Sequence, residues 1–314
     1  MQNRKEIKMQ TTNTILELSE LINSNDNKRA LILLDKLIEF KSQAPTKDSV
    51  QSWYTLLKRF KTFYLGHING NIKSLEDIPF NSFKHGNGKH PFINYSTIPV
   101  TNCPGAGEFV KYCYSKNSMR FPLAVTSWLQ NQILENHYFH LLEISFKNFI
   151  NQSKYKKALK KNGYINFRLY NDGDFRTKDI LVKWMELLRG LPGVKCYGYT
   201  KSLHFLKSLS IEGYKFPNNY KTNISLGGKY DGLKDSNLIK RLNIYRGEFI
   251  SHKLEKTFKT AQGYKKEDYK TIRQSYKNDK IFICPLVCGS CTSVGHACGS
   301  DVFQDKKIII PIHG

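Results

Sequence analysis

From Tyr164 onward, short apolar runs alternate with amphipathic ones, and this alternation limits the possible folds more than any other feature. YINFRLY reads as a strand, followed by DILVKWMELLRGL, whose apolar residues return at helical spacing. VKCYGYT and KSLHFLKSL repeat the pair. KTNISL supplies a third strand before a Gly-Gly turn, and LNIYRG, IFICP and KKIIIP read as later strands. Strands separated by helices pair in parallel through crossovers, which closes a barrel or winds an open sheet. The expected fold is α/β: a (β/α) barrel-like domain over residues 95–314, with a doubly wound open sheet as the alternative. The sequence contains no internal repeat and no low-complexity segment.

Residues 1–94 read as a helical extension and linker. ILELSELI and ALILLDKLIEF place apolar residues at helical spacing, and Thr11, Thr12 and Thr14 offer N-caps. From Gly66 to Gly107 the texture turns to Gly, Asn, Pro and His, which reads as a boundary or a long functional loop. After Pro122, LAVTSWLQNQILENHYFHLLEISFKNFI reads as one long, partly buried amphipathic helix. His137 and His140 stand three apart on it, either as a metal pair or as ordinary residues of its face.

In either α/β architecture, reactive groups gather at the carboxyl ends of the strands. Three strands are followed at once by such residues: Asn171-Asp172-Gly173-Asp174, then Thr200-Lys201-Ser202, then Gly227-Gly228-Lys229-Tyr230-Asp231. If the strands are parallel neighbours, these turns converge. Asp172 and Asp174 could serve as nucleophile and acid/base at a sugar carbon, or they could form a surface turn and helix cap. Gly227 and Gly228 could offer amides to a base or phosphate, or simply make a tight turn. Tyr197 and Tyr199 share one strand face opposite Cys196 and Gly198, so Tyr199 either stacks on a base or packs in the core.

CPLVCGSCTSVGHACGSD gathers Cys284, Cys288, Cys291, His296 and Cys298 within 15 residues, with glycines at 289, 295 and 299 to fold the chain around one ion. Sulfur and nitrogen donors at such spacing suit tetrahedral zinc, and four thiolates suit a 4Fe-4S cluster. C-x3-C-x2-C is also the cluster motif of radical S-adenosylmethionine enzymes. There, however, it follows the first barrel strand and has an aromatic residue where this chain has Ser290. Zinc is the expected metal. Cys103 and Cys113, in CPGAGEFVKYC, form either a second half-site or a glycine-rich turn with two ordinary thiols.

The 49 Lys and Arg against 26 Asp and Glu leave a net charge of +23. Between Ile144 and Asn171 there are seven basic residues and no acidic one, and Ser251 to Lys280 holds nine against four. Such fields draw polyanions. Nucleic acid, DNA by preference, is the expected partner, with an anionic membrane surface or a solvated face as alternatives. No stretch approaches the roughly 20 apolar residues that span a bilayer, and the first residues lack the apolar core of a secretory signal. A reducing cytoplasm is the expected compartment, where clustered cysteines mean metal or redox chemistry.

CPGAGEFVKYCY, NFRLYNDGDF, KCYGYTKS, NISLGGK and the Cys-rich tail occur in this order. Together they resemble a phage and plasmid protein family carrying C-P-G-A-G…C-Y, then a strand with G-D-F, then Y-A-Y-T-K-S. The resemblance covers about residues 95–300. Members carry a third cysteine where this chain has Phe109, so a cluster bound by that loop alone is not expected. The family is in turn similar to DpdA-type phage DNA transglycosylases, relatives of tRNA-guanine transglycosylase. Those are zinc-bearing barrels that exchange guanine for a 7-deazaguanine. Their D-S-G-G-F loop and C-x-C-x2-C motif are spaced differently from NDGDF and the tail here.

The resemblance implies a base-exchange enzyme in the host cell cytoplasm. Asp174 would attack C1′ of the deoxyribose, with Asp172 or Asp231 as acid/base. Gly227, Gly228, Lys201 and Tyr199 would hold a 7-deazaguanine base, and zinc would be structural. Two other readings stand beside it: an iron–sulfur enzyme acting on nucleic acid, and a noncatalytic zinc-stabilised DNA-binding protein.

Overall fold

The structure, a computed structural model, describes residues 4–43, 52–88, 90–254, 266–286, 288–289, 291–292, 296–304 and 306–312. The chain forms two compact units, and no single cut separates them. One contains the described residues up to Phe83 together with Ser96–Asn102 and Cys113–Asn151. The other contains Lys84–Tyr95, Cys103–Tyr112 and the described residues from Gln152 onward.

The first unit is helical: α1 Arg4–Asn23, α2 Asn27–Ser42, α3 Trp53–Ile68, α4 Pro122–His137 and α5 Phe139–Ile150. Asp26 caps α2 by accepting from the amide of Arg29, and Ser52 caps α3 by accepting from that of Thr55. The expected threonine caps do not form. α1 begins before them, and Thr14 inside it donates back to the carbonyl of Gln10.

The long helix expected after Pro122 is two helices, because Tyr138 leaves helical geometry (φ −135°, ψ 40°). His137 and His140 therefore do not share one helix, and His137 packs against His67 with ring centroids 4.7 Å apart. Nor is α4 amphipathic. Every residue from Val125 to Glu135 is buried, so its polar side chains must find partners inside. Gln130 accepts from the amide of Phe80 (2.9 Å) and donates to its carbonyl (2.7 Å). Asn131 donates to Ser96 O, and Gln132 to Ser19 O. Through Gln130 and Asn131, part of the Gly- and Pro-rich stretch is sewn to this helix.

The second unit is built on a parallel sheet. Its strands are β1 Ile93–Asn94, β2 Ile165–Leu169, β3 Val194–Thr200, β4 Tyr220–Ser225, β5 Tyr245–Lys253, β6 Ile281–Ile283 and β7 Lys307–Ile312. All six expected strands are present, and the order is β1-β2-β3-β4-β5-β7-β6 with every pair parallel. Helices α6 Ser153–Asn162, α7 Lys178–Arg189, α8 Leu203–Ile211, α9 Asn237–Lys240 and α10 Lys266–Ser275 complete the unit. Thr177 caps α7 by accepting from Ile180 N (3.2 Å), so the aspartates upstream are not its cap.

The sequential order is that of a singly wound sheet, without the central reversal of a doubly wound one. Among the described residues no ladder joins β1 to β6, so the expected barrel closure does not appear. What does appear is an alternation of faces. Phe167 and Ile309 look toward the helices, where Phe167 and Tyr95 meet Trp184 of α7, and Ile309 meets Ile272 of α10. Arg168, Tyr197, Tyr199, Phe249, Phe282 and Ile308 lie on the opposite face, and the Cys-rich tail packs there. Among the described residues, no helix is long and apolar enough to cross a membrane.

Candidate functional site

The carboxyl ends of β2, β3 and β4 are adjacent, and their turns do meet. After β2, Tyr170 (φ +56°) and Gly173 (φ +87°) turn the chain sharply, which buries both Asp172 and Asp174. A left-handed tyrosine is strained, and its packing against Tyr95 and Phe175 holds it. Asp174 points at the end of β3. It accepts from Thr200 Oγ1 (2.8 Å), Lys201 N (2.9 Å), Ser202 Oγ (3.2 Å) and its neighbour Phe175 N (2.8 Å). Burial raises its carboxyl to about 6, and these same hydrogen bonds keep it from rising further. Four donors on one buried carboxylate make Asp174 a clamp between two strand ends. Asp172, on the same turn, accepts from Asn171 Nδ2 at 3.0 Å.

Lys201 and the glycine turn are also engaged. The Lys201 ammonium donates to the carbonyls of Ser225 and Leu226 and lies 3.9 Å from the centre of the Phe109 ring. The amides of Gly227 and Gly228, expected to hold a base, donate instead to Asp231 (2.7 and 2.9 Å). Asp231 is thereby fixed as the brace of its own turn. The loop Cys103–Tyr112 is threaded between the turns: Gly105 accepts from Lys229 N at 2.8 Å, and a Cβ on Gly105 would lie 2.1 Å from Lys201 O. Phe109, which stands where the resembling family carries a cysteine, is the aromatic lid on Lys201. Cys103 and Cys113 fall in different units.

Tyr199 does not face this edge. Its ring packs on Phe249 (4.5 Å), with the Arg168 guanidinium 5.0 Å from its centre, on the face that carries the tail. There, Cys284, Cys291 and Cys298 pack into one cluster with Tyr197, and Cys288 is electrostatically coupled to Cys284 and Cys298. Burial pushes the Cys284 thiol up to about 12 and that of Cys298 up to about 11. Leu286 N donates to Cys284 Sγ, and Ala297 N to Cys291 Sγ, both at 3.4 Å. The His296 ring lies between Phe92 (4.7 Å) and Tyr197 (4.6 Å). Burial, then the charges of Lys195 and Arg246, lower it to about 4, and its Nδ1 is buried without a hydrogen bond.

Two buried side chains hold the turn that carries Cys298. Asn223 donates to Cys298 O (2.8 Å), and Arg246 to Ala297 O (2.9 Å) and Lys306 O (2.9 Å). Among the described residues, however, no three His, Cys, Asp or Glu side chains close on a point where they could hold a metal ion. Ser290, Gly295 and residues 255–265 of the second basic run lie outside the described residues.

Sequence reasoning missed Thr200 and Ser202 as partners of Asp174, and it missed Arg168, Asn223 and Arg246 beneath the tail. The T-K-S run after a strand was a usable signal for the first pair. For Arg246 the signal was an arginine placed between Tyr245 and Gly247 at the start of a strand.

A family model described as Gene product 88 matches residues 68–297. No curated protein and no solved structure matches the chain.

Proposed function

The chain belongs to the gene product 88 family, a phage gene product family, and on that premise we propose that it modifies nucleic acid, exchanging a guanine of DNA for a 7-deazaguanine. The observation that carries this reading is the convergence of the carboxylate turn after β2 with the lysine turn after β3 at one edge of the sheet. Asp172 is the attacking group in this scheme, because Asp174 is committed to four donors of its own chain. Its carboxylate bonds to C1′ of the deoxyribose as the C1′–N9 bond of guanine breaks, and guanine takes up a proton. The incoming base then loses its N9 proton and bonds to C1′, which releases the carboxylate. Asp174 is a positioning residue that fixes the turn.

The target base must leave the stack to be reached, and α6 supports a polyanion partner. Lys154, Lys156, Lys157, Lys160 and Lys161 are all exposed on it, and none makes an ion pair among the described residues. Five unneutralised cations on one short helix favour phosphate contacts of no sequence preference.

Nucleoside mass spectrometry of DNA from cells that express the chain and contain a 7-deazaguanine precursor tests the reading. The expected result is a modified deoxynucleoside that disappears with Asp172→Asn. Normal nucleosides alone, with folded protein and available precursor, would reject it. A second reading, a noncatalytic DNA-binding protein, draws on the closure of Asp174 and Asp231 within the fold. It predicts that Asp172→Asn leaves DNA binding and phage function unchanged.

A further inference from the structure

We infer that the exposed row Tyr114, Asn117 and Arg120, with Phe121 at its end, binds single-stranded nucleic acid on the helical unit. Bases stack on the two rings, and a phosphate sits at the arginine. Tyr114–Arg120 is a 3₁₀ helix, in which residues three apart eclipse one another. Ser115 and Met119 are buried where the segment packs against α1 and α4. The row that faces solvent is Tyr114, 47 % exposed, with Asn117 and Arg120. Phe121 follows, 51 % exposed, and the Arg120 guanidinium lies 4.7 Å from its ring centre.

A single exposed ring is ordinary, but Phe121 is held in place. Its amide donates to Ser118 O (3.1 Å), and its carbonyl accepts from Val125 N (3.1 Å). Pro122 restricts it to the extended backbone that it adopts (φ −95°, ψ 110°). A ring on so restrained a backbone offers its area at little entropic cost. Successive members of the row are about 6 Å apart along the axis of a 3₁₀ helix. The phosphates along one strand of a duplex are only ~3.4 Å apart, so an extended, unstacked strand is what keeps step with the row.

Charge selects the occupant. No acidic residue occurs from Cys113 to Leu134, a stretch that carries Lys116 and Arg120. Arg120 is exposed and takes part in no ion pair among the described residues, so its charge is open to a phosphate. A second copy of the chain would bring its own cations together across a twofold axis, on a protein of net charge +23. Rings that stack on bases, beside an arginine that meets the backbone, make a surface for single strands of any sequence. The inference goes beyond base exchange and does not rest on it. These residues belong to the helical unit, and Asp172 belongs to the sheet unit.

Titration of the full chain with labelled oligothymidylate, oligouridylate and a duplex of equal length tests the inference. Single strands should bind, the tighter of the two naming the chemistry as DNA or RNA. Tyr114→Ala and Phe121→Ala should each weaken that binding roughly 10-fold. Phe121→Trp restores it, and the emission of the added tryptophan is quenched by the strand. Arg120→Gln lowers the slope of log affinity against log salt by about 0.7. Duplex affinity and the urea-unfolding midpoint stay as in wild type, because both rings are exposed and the lysines of α6 still meet a duplex. Unchanged single-strand affinity in both alanine variants, or equal losses on duplex and single strand, would overturn the inference. So would a concentration-dependent dimer that Phe121→Ala dissolves, or binding to phosphatidylserine vesicles, in place of oligonucleotide, that Phe121→Ala abolishes. Asp172→Asn leaves this binding intact, so failure of base exchange and failure of this surface are told apart.

Discussion

Two regions of the sheet unit are built from similar materials and finished differently. At the carboxyl edge, the polar groups expected to be reactive meet partners within the chain. Asp174 takes four donors, Asp231 two amides and Lys201 two carbonyls, and Gly105 seals the loop against them. Beneath the Cys-rich tail, among the described residues, Arg246 Nη2, His296 Nδ1 and Asn223 Oδ1 are buried without a hydrogen bond. Because buried polar groups are normally paired, the first region reads as largely completed scaffold, and the second as one where, among the described residues, several polar groups are still unmet. A cluster of catalytic residue types is thus a weaker sign of a ligand site than a cluster of unmet ones.

The comparison can be broken most directly at Gly105. Gly105→Ala places a methyl group within 2.1 Å of a backbone oxygen that cannot move aside. The expected loss is about 4 kcal/mol of stability, measured by urea unfolding. A loss under about 1 kcal/mol would mean that the loop is not sealed onto the turns.

Asp174→Ala comes next. It leaves buried donors unmet and should cost about 3 kcal/mol. Its pH dependence is the sharper readout. Because the folded pKa of Asp174 is raised from 3.8 to about 6, its favourable contribution is complete below pH 4 and is lost as pH rises through 6. Wild type should therefore lose about 3 kcal/mol across that window relative to Asp174→Ala. Parallel pH profiles would show that the carboxyl is not enclosed as described.

The smallest expected effect lies in the other region. Arg246→Met should cost no more than about 1–2 kcal/mol, because Arg246 has no carboxylate in ion-pair reach among the described residues and its loss leaves only the carbonyls of Ala297 and Lys306 without their donor. A large destabilisation there would make Arg246 scaffold too, and the contrast between the regions would vanish.

Several of these features could be read in advance and others could not. Alternation of residues along VKCYGYT put Tyr197 and Tyr199 on one face, because a strand's side chains alternate whatever they touch. The convergence of the three turns followed from parallel pairing, which the strand–helix rhythm implied. Gln130, Asn131 and Gln132 misled, since three polar residues in succession look like surface. Only the neighbours of α4, such as Phe80 and Ser19, reveal that each amide is met by backbone. The occupation of the Gly227 and Gly228 amides by Asp231 was equally hidden, for a local turn and a ligand cradle share one sequence.

By itself, then, the sequence determined the parallel α/β rhythm, the positive field and the gathering of thiols, because periodicity, net charge and short spacing are local properties of the chain. Only the tertiary structure decided which polar groups are satisfied and which are left over, because a hydrogen bond between β2 and β3, or a guanidinium beneath a distant turn, exists only once packing has brought remote residues together. That difference, between groups that close on each other and groups still lacking a partner, turns attention from the aspartates to the tail.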